Sequence, residues 1–235
     1  MAIMIPDVCP LDTSNGEKEI FRRLQKDSST NDWFVLHSLD IAQHLRQERG
    51  EADFIVIVPQ KGILCLEVKG ASNIRREDGK WFYGSSSKGE TRSPFKQASE
   101  AMFSIKNRLS ERLPSNINPM YYSGVVFPFV EIDSPPDSNE WNEWELIDSA
   151  KLTANTFGGL VHNLIDKAKE HHQTVQTMWF NSTSKSPANN LEKLAIKSAL
   201  RPDFEYFESP SSRLQRSEQE IKQYTEEQFE ILDAL

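Results

Sequence analysis

Cysteine is scarce in this sequence. Its 235 residues include two, Cys9 and Cys65. Two cysteines cannot make a disulfide framework, and neither stands in a zinc-type spacing. A cytosolic protein is the economical expectation. Long apolar runs are missing as well. The longest, residues 54–58 and 63–66, are strand-sized and far short of the ~18 residues that a membrane helix needs. Residues 1–10 carry Asp7 and no basic segment, so no secretory leader is expected. The phosphate-cradling pattern G-x-x-x-x-G-K-[ST] occurs nowhere, which excludes ATP hydrolysis by that route. No segment repeats. An excess of positive charge is also lacking: the net charge is −8, which at first sight argues against a nucleic-acid partner.

What is present is enough to bury a core. Hydrophobic residues make up 37% of the chain and charged residues 26%, the balance of a globular protein. The length fits one large domain, or one domain with an appendage. Charge is spread unevenly. Residues 1–113 hold 17 Lys and Arg against 16 Asp and Glu, whereas residues 114–235 hold 10 against 19. Within the first half, residues 69–108 hold nine basic and four acidic residues. A local basic patch of this kind can bind phosphates inside an acidic chain, because salt screens charges beyond about 8–10 Å. On charge alone, an ordinary solvated surface is the better reading.

The spacing of apolar residues outlines the fold. Ser14-Asn15-Gly16-Glu17 has the form of a capping box, and Ile20, Phe21 and Leu24 form the stripe of the helix it opens. Residues 33–39 read as a strand, and the polar stretch 42–51 as a loop or short ragged helix. Residues 53–58 and 63–68 read as two strands joined by Pro59-Gln60-Lys61-Gly62; Pro and Gly at the junction predict an antiparallel hairpin. Residues 80–83 are a short strand and 84–92 a Ser/Gly/Lys loop. Ser93-Pro94 starts a helix whose apolar positions are Phe95, Ala98, Met102, Ile105 and Leu109. A strand over 121–130 and helices over 157–169 and 188–200 follow. This order predicts an α/β fold with a mixed central sheet flanked by helices. Residues 1–200 form the main domain. Residues 201–218, with Ser209-Pro210-Ser211-Ser212 at their centre, read as a linker, and 219–235 as a further helical segment.

The chemistry concentrates in the hairpin. Glu67 and Lys69 are two apart on a strand, so their side chains leave one face. Asp53 opens the preceding strand, and pairing about the turn sets it opposite Glu67 and Lys69. Two converging carboxylates can hold Mg²⁺, which takes oxygen ligands and keeps several waters. Such a metal lowers the pKa of a bound water and offsets charge growing on a phosphate. An adjacent ammonium can orient the attacking water and limits the repulsion between the acids. These are the parts for metal-assisted phosphodiester hydrolysis. Taken singly, Glu67 and Lys69 also fit a plain ion pair at a strand end. Glu17 fits both its capping role and a place near a metal. Gln97 fits a solvated first helical turn or a site. The five histidines share no ligand spacing and read as structural or solvated. Arg75, Arg76, Lys88, Arg92 and Lys96 are candidates to line a DNA path.

Five pieces together resemble the nuclease-related domain (NERD) family, a branch of the PD-(D/E)xK nuclease superfamily. They are Gly16-Glu17-Lys18-Glu19, residues 51–56, residues 62–70, Asp78-Gly79-Lys80-Trp81 and Ser93-Pro94-Phe95-Lys96-Gln97. The resemblance covers roughly residues 14 to 130. It implies a restriction-endonuclease-like core and a Mg²⁺- or Mn²⁺-dependent nuclease acting on DNA, as an endonuclease in DNA processing or anti-phage defence. By position it implies Asp53, Glu67 and Lys69 as catalytic residues, Gln97 as the polar helper on the following helix, and Asp53, Glu67 and Glu17 around the metal. Ala52 stands where the superfamily's name has Pro. A non-catalytic nucleic-acid- or helicase-binding module and an RNA-directed nuclease are the alternatives on the same fold. Residues 224–232 (YTEEQFEIL) are similar to the adenine-reading motif that opens superfamily 1 helicases. That similarity implies a helicase module as partner, in cis or in trans.

Overall fold

The computed structural model describes residues 1–41, 50–132, 140–175 and 190–233. The chain divides into two compact units, Met1–Arg201 and Pro202–Leu235. The first opens with strand β1 (Ile3–Ile5) and helix α1 (Asn15–Lys26). Ser14 caps α1 by accepting the Glu17 N–H on its hydroxyl at 3.2 Å, satisfying one of the helix's orphan donors. Ile20, Phe21 and Leu24 point into the core. Strands β2 (Phe34–Ile41), β3 (Gly50–Val58) and β4 (Gly62–Val68) follow, with β3 antiparallel to both of its neighbours. The β3–β4 turn needs glycine at its end. Gly62 has φ +137°, and a Cβ there would lie 2.5 Å from the Met120 carbonyl oxygen, so no other residue fits without a shift.

Strands β5 (Ile74–Glu77) and β6 (Lys80–Tyr83) make a separate two-stranded ribbon. Helix α2 (Pro94–Arg112) follows, with Phe95, Ala98, Met102, Ile105 and Leu109 all buried. Strand β7 (Tyr121–Phe127), strand β8 (Leu146–Asp148) and helices α3 (Ser149–Ala154), α4 (Phe157–Thr174) and α5 (Asn190–Leu200) complete the unit. The central sheet has six strands in the order β1-β2-β3-β4-β7-β8. Its parallel pairs are β1–β2, β4–β7 and β7–β8, so the sheet is mixed, with helices on both faces, as the sequence leads one to expect. Alternate residues serve opposite cores. Phe54, Val56, Leu64 and Leu66 pack with α1 and α4. Ile55, Ile57, Ile63 and Cys65 pack with α2 and Ile196 of α5. Burial pushes the Cys65 thiol up to about 12, which leaves it chemically quiet.

Several expectations are corrected. Strand β7 stops at Phe127 and not at 130, and α4 runs on to Thr174. Strands β1, β5 and β8 and helix α3 are additional elements. Of the polar stretch 42–51, residues 42–49 lie outside the described residues, as does the expected helix start at 188–189, whereas Gly50 and Glu51 open β3 and are not a loop. In the second unit, helix α6 spans Pro210–Asp233, so residues 210–218 of the expected linker are helical. Ser209 accepts the Ser212 N–H on its hydroxyl at 3.1 Å, a cap bond that Ser93 does not make; the two helix starts share only the Ser-Pro pair, with Pro at the first helical position.

Candidate active site

The β3–β4 hairpin delivers the charged residues to one end of the sheet. Its pairing of Phe54 with Leu66 sets Asp53 across from Glu67. Asp53 Oδ2 accepts the Val68 N–H at 2.7 Å, which fixes the carboxylate against β4. By alternation Asp53, Glu67 and Lys69 share the face that carries Ile55, Ile63 and Cys65, the face covered by α2. Lys69 Nζ lies 2.7 Å from Glu67 Oε1 and donates to Gln97 Oε1 at 3.1 Å. Gln97 in turn donates from Nε2 to the Arg92 carbonyl at 3.2 Å, which aims its oxygen at the lysine. The Tyr83 ring centre stands 5.6 Å from Lys69 Nζ. The hairpin, the first turn of α2 and strand β6 thus converge on one ammonium.

Helix α1 reaches the same place by backbone contact. A Cβ on Gly16 would lie 2.6 Å from Gly70 Cα, so two glycines let the helix start touch the chain just after Lys69. Glu17 follows. Its Oε1 accepts the Ser14 hydroxyl at 2.6 Å, and its Oε2 lies 3.0 Å from His37 Nε2. His37 is 1% exposed and packs between Phe21 and Phe54. Its Nδ1 is buried without a hydrogen-bond partner, which favours the tautomer that carries the proton on Nε2 and gives it to Glu17.

Electrostatics set these carboxylates apart from surface ones. Burial, then the charge of Glu67, pushes Asp53 up to about 8. Burial also raises Glu67, against the pull of Lys69. Burial works to lower the Lys69 ammonium, but Glu67 and then Asp53 outweigh it and hold its pKa above the ordinary lysine range. Lys69 is therefore a fixed cation at neutral pH. Glu17 goes the other way: burial opposes its charge, yet the bonds from His37 and Ser14 hold it below the usual carboxylate range.

The basic residues scatter. Arg92 pairs with Glu100 of α2 at 2.7 Å and its charge reaches Glu67, so it borders the site. Arg76 pairs with Glu140. Arg75 lies over the Phe82 ring at 4.6 Å, and Lys88 and Lys96 are exposed. His37, Tyr83 and Glu100 are site neighbours that sequence reading missed. An apolar strand predicts that His37 is buried, but nothing local names Glu17 as its partner.

Asp53 and Glu67 offer hard oxygen donors that repel each other when both are charged, and a divalent cation removes that conflict. Among the described residues no three His, Cys, Asp or Glu side chains form a metal cage. Mg²⁺ needs none, since one or two carboxylates plus waters commonly suffice. The donor set fits the group.

A mixed sheet flanked by helices, with paired carboxylates and a lysine at a strand end, is consistent with a nuclease-like fold. Residues 13–128 match the family model of the nuclease-related domain, NERD. Through that stretch, which holds Glu17, Asp53, Glu67, Lys69 and Gln97, the chain belongs to the NERD family. No curated protein and no solved structure matches the chain significantly.

Proposed function

We propose that the chain is a Mg²⁺- or Mn²⁺-dependent nuclease that hydrolyses phosphodiester bonds of DNA. The convergence of Asp53, Glu67 and Lys69 on one end of the sheet carries this reading. Asp53 and Glu67 would hold the cation, with the charge of Glu17 beside them. When bound, that cation would polarise the phosphoryl oxygen and offset negative charge developing there. Lys69 stays protonated, so it acts as a hydrogen-bond donor and a charge, not as a base. Its ammonium is held between Glu67 and Gln97 before substrate arrives, and such preorganised charge is where catalytic stabilisation is largest. Arg92, anchored by Glu100, adds a second cation for the strand's phosphates.

The test is cleavage of labelled linear, circular and single-stranded DNA, and of RNA, by the purified chain with Mg²⁺, with Mn²⁺ and with chelator. Metal-dependent cleavage that vanishes in Asp53→Asn supports the reading. No cleavage of any substrate by the wild-type chain overturns it.

One observation favours a second reading. The direct 2.7 Å contact of Lys69 with Glu67 is also what a non-catalytic module with a strand-end ion pair would show. In that case the chain binds nucleic acid or a helicase module and cuts nothing.

A further inference from the structure

An aromatic cavity that the proposed chemistry does not use is walled by chain neighbours of residues that contact Lys69. It measures about 320 Å³, and Trp81, Phe95, Phe127, Trp141, Ile74 and Arg76 are among its walls. Three of these walls lie one or two residues along the chain from residues that contact Lys69; Phe95 and Gln97 leave different sides of α2. Trp81 is two residues before Tyr83 on β6, the residue whose ring meets Lys69. Phe95 is two residues before Gln97, which accepts from Lys69. Phe127 follows Val126, whose carbonyl accepts the Lys69 N–H at 3.0 Å. Trp141 stacks on Phe95 with ring centres 4.9 Å apart and planes 7° from parallel. The Arg76 guanidinium lies 5.4 Å from the Trp141 ring centre and 5.8 Å from that of Trp81.

We propose that this cavity receives one unpaired nucleobase of the strand whose phosphate lies at Lys69. The substrate class is then a single strand or a frayed end. The inference rests on the nucleic-acid reading above and adds the state of the strand. Ligand cavities begin at about 300 Å³, so this one holds a single ring system and not a base pair. Every base has a π-face, and aromatic walls with an arginine bind it without choosing among bases. A base in a continuous duplex is stacked and paired, and entering the cavity would first cost its extrusion.

The test is fluorescence anisotropy of the full chain in Ca²⁺, with a short labelled single strand and with a blunt duplex of the same length. It uses two variants that touch neither carboxylate nor lysine: Trp141→Ala removes a wall, and Ile74→Trp fills the cavity. The wild-type chain should prefer the single strand. Each variant should weaken single-strand binding by about 5- to 150-fold, the range for one base stacked on a ring, with duplex binding unchanged. Single-strand affinity that is absent in the wild type, or unchanged in both folded variants, overturns the proposal. Cleavage in Mg²⁺ is scored separately. Cleavage with no sensitivity to Trp141 or Ile74 removes the base pocket and leaves the nuclease. Sensitive single-strand binding without any cleavage keeps the pocket and removes the nuclease.

Discussion

Gly16 and Gly70 meet backbone to backbone: a Cβ on Gly70 would lie 2.7 Å from Gly16 N. The contact joins the first turn of α1 to the end of β4 and so sets Glu17 beside the Glu67–Lys69 pair. Neither backbone can retreat easily, since Gly16 also meets Val68. Gly70→Ala should therefore act as overpacking and cost about 1–3 kcal/mol, seen as a lower melting temperature together with a reduced cleavage rate. A variant with wild-type melting and wild-type rate would show that the contact positions nothing.

The raised pKa of Asp53 has a sign that can be measured. Its carboxyl titrates near 3.8 in the unfolded chain and at about 8 in the folded one. The folded chain thus holds the proton more tightly, and the stability from this group is complete below about pH 4 and lost as pH rises through 8. Glu67 shifts in the same direction. In chelator, the melting temperature should fall between pH 5 and 8, and Asp53→Asn should flatten that fall. Saturating Mg²⁺ should flatten it as well, because the cation takes the place of the proton. A wild-type profile that rises over this range, or that Asp53→Asn leaves unaltered, would contradict the assignment.

Arg201 closes the first unit from behind. It donates to the carbonyls of Ile5 at 2.8 Å, His37 at 2.9 Å and Ser38 at 2.7 Å, tying the end of α5 to β1 and to the strand that holds His37. Arg201→Ala should cost about 1.5–3 kcal/mol, the worth of charged hydrogen bonds to buried acceptors. Arg201→Lys should not restore it, because an ammonium lacks the guanidinium fork. Thermal melting of both variants checks this. A chain ending at Arg201 should melt as the full chain does.

Much of this site could be read from the sequence, for physical reasons. A turn with Pro59 and Gly62 fixes the hairpin, and a period of two then places Asp53, Glu67 and Lys69 together without any long-range information. The Ser-Pro start and apolar spacing of α2 likewise bring Gln97 to a first turn. What escaped depends on distant partners or on weak local signals. Strand β1 has three residues and pairs in parallel with a strand some thirty residues on. Strand β5 reads Ile-Arg-Arg-Glu and carries no alternation of apolar residues. His37 finds Glu17 only through the packing of α1 on the sheet. The start of α6 was legible in principle: Ser209-Pro210 repeats the signal of Ser93-Pro94, but the surrounding serines read as a linker.

The most direct test of the central claim is the single-turnover cleavage rate of Lys69→Ala against wild type at saturating Mg²⁺, with Mn²⁺ binding measured alongside. A preorganised charge of this kind contributes about 10²–10³-fold in rate. The variant should lose that factor while Mn²⁺ binding, which we propose rests on Asp53 and Glu67, is retained. Equal cleavage by the variant and the wild type would mean that Lys69 only pairs with Glu67, and that the chemistry lies elsewhere.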